Sequence, residues 1–376
     1  MKRKQPPVRG DIEDLDLSRA CQTEEEVPDE EIEVAAAAAV PKKTYHKSPI
    51  ISWTRRRDGP AFDMKEFLEN VKKGFVELAN PRNHNQIKVV SLLPTHVQCM
   101  ALWSKDYGPF IEAWKAPETH DLLAQYDSYL FNFTLNGDWG TLLEPGLRTS
   151  LAQRLEQLRW LVDNFSAKNV VLRFDPIVVY YILGDNLSGP PRDNLTNFNE
   201  IATAAATLGI RSISIAFCND YSQVVNRLLR HSIKLAPMDK EKRYAVLRRM
   251  MVTTDPLKIK LYACSQPELL GCVGMERSKC IDGSLINQLL DGKKKPLLAK
   301  PNLREKGTSH GSGIEGCQCT KSEEIGKYAP CPHGCVYCYA NPANVPNYKL
   351  QMEAAQKAAA VFVTPPNPSF NLNTKK

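Results

Sequence analysis

Short apolar runs alternate with amphipathic segments from Ser48 onward, and this alternation constrains the fold more than any other feature of the chain. Six of the runs are predicted to be strands: Pro49–Trp53, Val97–Trp103, Ser128–Thr134, Asn169–Phe174, Ser212–Phe217 and Lys258–Ala263. The segments between them have helical spacing, as in Leu151, Leu155, Leu158 and Val162, which indicates one buried face. Strands that alternate with helices form a largely parallel sheet. The predicted fold class is therefore α/β, a partial (βα)6-type, TIM-like barrel.

Five stretches between the strands are predicted to be helical: Met64–Lys73, Pro109–Ala124, Ser150–Asn164, Asn194–Leu208 and Tyr221–Met251, the last long or doubled. Residues 75–92 contain two further apolar runs and are expected to form a hairpin. The chain then divides into a disordered acidic tail over residues 1–46, a barrel domain over 47–291, a cysteine-rich segment over 292–341 and a C-terminal extension over 342–376.

The charge of the chain is distributed unevenly. The formal net charge is +7, but residues 1–45 hold 7 Lys and Arg against 11 Asp and Glu, a net of −4, so the remainder carries +11. A basic body suits a polyanionic partner such as RNA or DNA. An ordinary lysine-rich, solvated surface is the alternative explanation.

The cellular compartment is predicted from the lack of an apolar signal region and of an apolar membrane segment in the sequence. The start, Met1-Lys-Arg-Lys4, runs into acidic residues with no apolar region behind it, so secretion is not expected. No stretch approaches the roughly 20 apolar residues of a membrane helix, and no membrane partner is expected. The protein is predicted to be intracellular, cytoplasmic or nuclear, where clustered cysteines are more often metal ligands than disulfides.

Polar side chains collect where the predicted strands end. Because the carboxyl ends of parallel strands share one edge, these side chains are expected to converge on one mouth. The candidates for contact with a substrate are Lys105, Asn136, Arg173, Asp175 and Asp220. Arg173 and Asp175 alternate onto one face of an apolar strand, where a buried ion must be paired or must bind something. For Asp220, as for Asp58 and Asp106, capping of the following helix is the competing interpretation.

Five of the eleven cysteines fall within residues 317–338. The last three form Cys331-Pro-His-Gly-Cys335-Val-Tyr-Cys338, a C-x3-C-x2-C motif. Three closely spaced thiolates can take three corners of a [4Fe–4S] cluster and leave one iron without a protein ligand. Structural zinc is the alternative, because Cys335 and Cys338 form the C-x2-C pair typical of zinc sites and His333 or Cys331 could add a ligand.

Four other cysteines suggest a second sulfur site. Cys264 ends the sixth predicted strand, and Cys317 and Cys319 lie shortly before the main motif, so these three and Cys280 could meet in the fold. Four thiolates would fully ligate either a second [4Fe–4S] cluster or a zinc ion. Independent buried cysteines are the alternative.

Seven stretches of the sequence carry a resemblance to a known family: Ile51–Phe62, Leu102–Lys105, Phe133–Gly137, Arg173–Ile177, Lys279–Gly283, Cys317–Tyr328 and Cys331–Asn341. Through them residues 48–341 resemble a family catalogued as a domain of unknown function, number 1848. The C-terminal cysteine cluster of that family is similar to the one that radical-SAM proteins carry near the N-terminus. The resemblance implies a radical-SAM-type barrel whose iron–sulfur loop lies at the C-terminal end.

The resemblance also implies roles for individual residues. In radical-SAM enzymes the open iron binds S-adenosylmethionine, and an electron from the cluster releases a 5′-deoxyadenosyl radical. The implied cluster ligands are Cys331, Cys335 and Cys338. Tyr337 is expected beside the adenine. Because the Gly-Gly-Glu element of other radical-SAM barrels is absent, Arg55, Arg56 or Asp58 is expected to hold the methionine end.

Two functions of different class follow from these observations. The first is a radical-SAM-like iron–sulfur enzyme that uses a [4Fe–4S] cluster, S-adenosylmethionine and an electron donor on an unknown substrate, with nucleic acid as the first choice. The second is a non-catalytic nucleic-acid-binding protein, in which zinc or an iron–sulfur cluster holds the C-terminal loop against the barrel.

Overall fold

The structure is a computed structural model that describes residues 45–53, 56–80, 83–137, 140–185, 187–290, 317–327 and 329–340, without the side chain of His84. Most of the predicted acidic tail, all of the predicted C-terminal extension, and Arg55 lie outside the described residues. None of the described helices is both long and apolar enough to cross a membrane.

The described part of the chain contains strands of one large sheet and two small ones: β1 (Ile50–Trp53), β2 (Phe75–Asn80), β3 (Asn83–Ser91), β4 (Cys99–Ser104), β5 (Tyr129–Thr134), β6 (Val170–Ile177), β7 (Val179–Ile182), β8 (Arg192–Asp193), β9 (Ser212–Phe217), β10 (Ile233–Leu235), β11 (Lys260–Ala263), β12 (Glu276–Arg277) and β13 (Glu323–Glu324). Eight of them form a parallel sheet in the order β12-β11-β9-β6-β5-β4-β1-β13. Strands β2 and β3 form the predicted hairpin, and β10, β7 and β8 form an antiparallel sheet. All six predicted strands are present, and the α/β class is confirmed.

The helices of the described residues lie mainly between the strands: α1 (Gly59–Phe62), α2 (Met64–Lys73), α3 (Gly108–Lys115), α4 (Pro117–Ala124), α5 (Leu151–Asn164), α6 (Phe198–Thr207), α7 (Ser222–Arg230), α8 (Lys240–Thr254) and α9 (Gly283–Leu290). The single helix predicted over Pro109–Ala124 is two helices, because Pro117 lacks an amide hydrogen and starts a new one. The stretch Tyr221–Met251 holds two helices separated by β10. Ser150 and Gln153 form a capping box that starts α5.

Each central strand is buried on both faces. Ile51, Leu102 and Phe131 belong to the large apolar core that includes helix residues such as Leu158. The alternate residues Ile50, Ala101 and Leu130 pack against a second cluster, formed by residues of the segment after β12 and of α9: Cys280, Ile281, Ile286 and Leu290. We call this second side of the sheet the inner face. Apolar runs with no polar alternation are expected for strands covered on both sides.

Segments next to the two edge strands approach each other. The Thr320 amide, which precedes β13, donates to the Ile281 carbonyl, which follows β12, with an N–O distance of 2.9 Å. The Gly283 amide donates to the Thr320 hydroxyl, also at 2.9 Å. Within the described residues β12 and β13 are not paired as strands, so the coarse prediction of a parallel α/β sheet is what the structure supports.

Candidate functional site

The loop that contains Cys331, Cys335 and Cys338 lies at the carboxyl end of the central sheet. Cys331 and Cys335 are buried, and Cys338 is half-buried. The Gly334 amide donates to the Cys331 carbonyl and the Cys338 amide to the Cys335 carbonyl, each with an N–O distance of 3.1 Å. Gly334 takes a left-handed conformation with φ of 60°, which suits glycine. These tight turns place three thiols on one compact loop, which we call the cysteine loop.

The segment after β5 holds the cysteine loop by its backbone. The Gly146 amide donates to the His333 carbonyl at 2.9 Å, and the Val336 amide donates to the Leu143 carbonyl at 3.0 Å. A Cβ atom at Gly146 would lie 2.7 Å from the His333 carbonyl oxygen and against that of Pro332. A glycine is therefore required at position 146 for the two segments to pack this closely.

Two arginines hold the ends of the cysteine loop. Arg227 on α7 is 5% exposed, and its guanidinium donates to the Cys338 carbonyl. Arg57, after β1, donates to the Pro330 carbonyl and to the Asp63 carboxylate, the latter at 2.8 Å. Hydrogen bonds from charged donors are about twice as strong as neutral ones. The bonds to the Pro330 and Cys338 carbonyls fix the loop backbone at its two ends.

Asp58 joins the cysteine loop to the first two parallel strands. Its Oδ1 accepts hydrogen bonds from the Ala61 amide at 3.1 Å and the Ser104 hydroxyl at 2.7 Å. Its Oδ2 accepts one from the Lys105 amide at 2.7 Å and lies 2.9 Å from Nε2 of His333. A carboxylate has about four acceptor positions, and these four partners use them. Asp58 caps α1 and positions the loop, and this geometry favours positioning over the predicted contact with a cofactor.

Lys105 and Asn136, two of the predicted substrate residues, meet at the centre of a hydrogen-bond network. The Lys105 ammonium donates to Oδ1 of Asn136 at 2.7 Å and to Oε1 of Glu144 at 2.8 Å. The Tyr337 hydroxyl donates to the same Glu144 oxygen. The Lys105 nitrogen also lies 5.7 Å from the centre of the Tyr337 ring. The network therefore ties the cysteine loop to the ends of β4 and β5.

Glu144 is the buried charge at the centre of this network. Burial alone favours the neutral carboxyl, but the Lys105 ammonium, the hydrogen bonds from Lys105 and Tyr337, and the Arg154 guanidinium outweigh it and hold the Glu144 pKa below its ordinary value. The second oxygen, Oε2, is buried without a hydrogen-bond partner, as is Nδ1 of His333. Buried polar atoms without partners are rare and often mark a site where a ligand or water binds.

A cavity of about 140 Å³ opens beside the network. Its wall is rich in amide, carboxylate and hydroxyl groups: Asn136, Glu144, Asn194, Thr196, Asn197 and Tyr337. A wall of this composition suits a polar ligand that offers several hydrogen-bonding groups.

Two thiols of the cysteine loop, those of Cys331 and Cys335, favour the protonated form when no metal is bound. Burial and, to a smaller extent, the Asp58 carboxylate raise the pKa of Cys331 to about 12. Burial and the Glu144 carboxylate raise the pKa of Cys335 well above its ordinary value, against the effect of Lys105. Thiolates form at such positions only when a metal stabilises the negative charge, so metal binding must release protons.

The donor set of the cysteine loop fits a cubane cluster. Among the described residues, no three His, Cys, Asp or Glu side chains are arranged around one metal ion. A [4Fe–4S] cluster does not need that arrangement, since each of its three thiolates binds a different iron. All three are free cysteines. They lie close enough that a thiolate at Cys338 would raise the pKa of both Cys331 and Cys335.

The other four predicted cysteines also come together, on the inner face of the sheet. The Cys264 and Cys280 sulfurs lie 3.6 Å apart, and the Cys280 amide donates to the Cys319 sulfur at 3.2 Å. Cys319 hydrogen-bonds the Cys317 side chain, which lowers the Cys317 pKa to about 7 despite partial burial. We call Cys264, Cys280, Cys317 and Cys319 the inner cysteine group.

Arg173 and Asp175 lie beside the inner cysteine group and not at the Lys105 network. The Arg173 guanidinium donates to the Cys280 sulfur and to the Asp175 carboxylate. Its two terminal nitrogens lie 4.0 and 3.9 Å from the Cys264 sulfur. The charges of these groups hold the Arg173 pKa above its ordinary value although burial opposes this. The predicted buried ion is therefore paired, and it faces sulfur.

The remaining predicted site residues lie elsewhere. Asp220 is exposed and lines a second cavity of about 350 Å³ between β9, α7 and β10. It makes no side-chain cap, since α7 begins after Tyr221 without one. Arg56 is half-buried after β1, and Arg55 lies outside the described residues. The five predicted substrate residues thus divide among three places around the carboxyl end of the sheet.

Two residues of the site were not predicted in the roles that they take. Glu144 stands in a loop without strand or helix periodicity, and its only signal is an acidic residue between apolar residues and Pro145-Gly146. His333 was considered only as a zinc ligand, whereas its Nε2 contacts Asp58. Contacts of this kind join loops that are far apart in sequence, and no local pattern predicts them.

The fold and the cysteine loop together define an α/β protein with a cysteine-rich segment at the carboxyl end of a parallel sheet. The chain belongs to the family described as "Domain of unknown function (DUF1848)", whose model matches residues 50–340. No curated protein matches the chain in sequence. One similar solved structure is a crystal structure of D-psicose 3-epimerase in the presence of D-fructose, with 14% identity over 70% of this chain and 97% of that chain. Its TM-score of 0.29 supports no conclusion about this protein.

Proposed function

We propose that this protein is a radical-SAM-like iron–sulfur enzyme, with Cys331, Cys335 and Cys338 as the ligands of one [4Fe–4S] cluster. The observation that carries the proposal is the position of the cysteine loop at the carboxyl end of a parallel sheet, beside a polar cavity. The carboxyl end is where parallel α/β folds place their chemistry. S-adenosylmethionine and an electron donor complete the proposed system.

When bound, the cluster would supply the electron that cleaves S-adenosylmethionine. The residues of the chain have three tasks in this scheme. Asp58 fixes the cysteine loop through His333, and Gly146 allows it to pack closely. Lys105 and Glu144 keep a buried charge pair beside Cys335. Tyr337 forms part of the cavity wall, which supports its proposed position beside the adenine.

The same proposal includes a partial barrel. The hydrogen bonds of Thr320 to Ile281 and Gly283 join the segments next to the two edge strands, as closure requires. In this scheme the segments that contain Ile281 and Thr320 take the place of a further strand between β12 and β13. The substrate is proposed to be polar, and nucleic acid is favoured by the +11 charge of the chain after residue 45.

The test is anaerobic purification of the full chain, with analysis of iron, sulfide and zinc. We expect about four irons bound at the cysteine loop, and 5′-deoxyadenosine after addition of dithionite and S-adenosylmethionine. Cys335→Ser is expected to lose this cleavage and the loop's iron while it keeps the circular dichroism of the folded sheet. Cys272→Ala, a buried cysteine outside both groups, serves as the matched control and is expected to keep both.

A colourless protein that contains no iron would contradict the enzyme and would favour the nucleic-acid-binding alternative. The nucleic-acid part has its own measurement. RNA binding is expected to weaken steeply between 50 and 200 mM salt, since each phosphate contact releases counterions. A flat salt response would remove RNA from the proposal and would leave the cluster untouched.

A further inference from the structure

The inner cysteine group collects four thiols from distant parts of the chain. Cys264 ends β11, Cys280 follows β12, and Cys317 and Cys319 precede β13. We propose that these four cysteines bind a single Zn²⁺ ion, separate from the iron of the cysteine loop. The ion ties the segment before β13 to the opposite edge of the sheet.

The sulfur spacing favours a single ion over a cluster. Four thiolates at 2.3 Å around one zinc form a tetrahedron whose edges are about 3.8 Å long. The Cys264 and Cys280 sulfurs lie 3.6 Å apart, close to that edge. The thiolates of a [4Fe–4S] cluster lie farther apart, because each binds a different iron. This pair therefore has the spacing of two ligands on one ion.

The hydrogen-bond donors around the group suit thiolates better than thiols. The Arg173 guanidinium, only 8% exposed, points at the Cys280 sulfur, and the Cys280 amide points at that of Cys319. Arg173 is paired with the Asp175 carboxylate, but toward the group it meets thiol sulfur, which is a weak acceptor for a charged donor. A zinc-bound thiolate is a charged acceptor, and outer donors of this kind orient metal ligands.

The surroundings of Cys280 and Cys319 exclude water, whereas Cys264 and Cys317 are half-buried. Cys280 and Cys319 are 6% and 5% exposed and belong to the apolar cluster of the inner face, with Ile50, Ala101 and Ile281. Asn132 on β5 donates to the Cys280 carbonyl at 3.1 Å and fixes the backbone there. The dry surrounding of these two cysteines favours retention of the ion once it is bound.

Zinc binding changes the contacts among the thiols in a defined way. No three of the described thiols surround one point; the four are linked pairwise by hydrogen bonds, from Cys264 to Cys280, Cys319 and Cys317. On binding, four S–H bonds break, four protons leave to solvent and four Zn–S bonds form, with no change of oxidation state. Cys317 is half-buried, and a change of its side-chain rotamer is the movement that the proposal requires.

The experiment measures zinc and iron separately in the full chain after anaerobic purification and dialysis. We expect about one zinc per chain in the wild type and in Cys335→Ser, and a loss of at least tenfold in Cys280→Ser and Cys317→Ser. Cys99→Ala is the matched control, because Cys99 is buried in the same apolar cluster and has no part in the group. Cys317→Ser alters a half-buried side chain and keeps the test usable if Cys280→Ser fails to fold.

Cobalt gives a second readout that does not depend on folding of a variant. Co²⁺ loaded into the wild type in place of zinc is expected to show the intense visible bands of a tetrahedral thiolate site, and Cys317→Ser is expected to weaken them. Three results would overturn the proposal: no zinc in the wild type, an iron content that falls by half in Cys317→Ser, or a Cys264–Cys280 disulfide in mass spectra. None of the three bears on the cysteine loop, so the proposed enzyme stands or fails on its own test.

Discussion

Glu144 shows how one buried side chain can organise a site. It is 2% exposed, carries a charge, and accepts hydrogen bonds from Lys105 on one side and Tyr337 on the other. Removal of one member of a buried pair leaves the other charge without compensation, which is far more costly than the loss of a surface ion pair. Glu144 therefore stabilises the contact between the cysteine loop and the sheet.

We predict that Glu144→Gln lowers the free energy of unfolding by about 3 kcal/mol at pH 7. The folded pKa of Glu144 lies below its ordinary value of 4.5, so its charge stabilises the fold above pH 4.5. This contribution is lost as the pH falls through the folded pKa, because the unfolded chain binds the proton more readily. The wild-type advantage over Glu144→Gln should therefore shrink below pH 4.5 in urea unfolding curves.

Glu200→Gln, on the exposed first turn of α6, is the control for this pH effect. It removes the same carboxylate from a solvated position and should change the free energy of unfolding by less than about 0.5 kcal/mol. A constant difference between wild type and Glu144→Gln from pH 7 to pH 3 would contradict the role assigned to the Glu144 charge.

Sequence patterns predict individual site residues only where a regular element carries them. Lys105 and Asn136 follow strands, and Arg173 and Asp175 lie on one, so their place at the carboxyl end was predictable. The structure nevertheless separates the two pairs, since Arg173 lies on the inner face with Cys280. Which neighbours a side chain has across the sheet depends on curvature and on loops, and neither is encoded in a local repeat.

At the scale of elements, the cysteine loop and the segment Thr141–Leu147 act as one unit. They exchange two backbone hydrogen bonds and come together at Gly146, where no side chain fits. The obstructing atoms are the Pro332 and His333 carbonyl oxygens, and backbone atoms cannot rotate away as a side chain can. The loop geometry thus depends on a residue almost 190 positions earlier in the chain.

We predict that Gly146→Ala displaces the cysteine loop and destabilises the protein by about 2 kcal/mol, as overpacking does in a close contact. The displaced loop should also retain less iron after anaerobic reconstitution. Thermal unfolding and iron analysis of the same preparation check both expectations.

Gly140→Ala is the control, because a Cβ atom there meets no atom of the described residues within 4 Å. Its φ of 64° makes alanine unfavourable in conformation only, so some loss of stability is expected without a loss of iron. Equal iron retention in Gly146→Ala and Gly140→Ala would show that the close approach does not position the loop.

Across the whole molecule, the inner face of the sheet depends on chain that arrives after β12. Residues of α9, the Cys280–Ile281 segment and Cys319 cover Ile50, Ala101 and Leu130. Strand β13 pairs with β1 and protects that edge. The chain after β12 therefore contributes to the core and to the sheet, and it also contains the cysteine loop.

We predict that a chain cut after residue 316 binds a hydrophobic dye such as ANS and unfolds at a lower temperature, because the edge of β1 and the part of the inner face that Cys319 covers become exposed. A chain cut after residue 340 keeps every described contact of the sheet and is the control. Equal dye binding by both truncated chains and the full chain would contradict the structural role of residues 317–340.

The sheet could be predicted from the sequence because its strands are continuous apolar runs such as Ser212–Phe217, separated by amphipathic helices. The two short edge strands could not, since Glu276–Arg277 and Glu323–Glu324 are polar dipeptides with no strand pattern. Pairing of these dipeptides is imposed by their neighbours in space. For the same reason, hydrophobic periodicity could not predict that the two sheet edges approach each other at Thr320 and Ile281.

The pairing of β1 with β13 also determines how late in synthesis the edge of β1 can be covered. The Ser52 hydroxyl donates to the Glu324 carboxylate, a residue 272 positions later in the chain. At 5–20 residues per second a ribosome needs roughly 15–55 s to make that stretch, so β1 waits this long for its outer neighbour. Both cysteine groups are completed only at the end of that wait. In the proposed scheme metal would therefore be loaded only after most of the chain has been made, and chaperones have a long interval in which to hold a nascent chain with one open sheet edge.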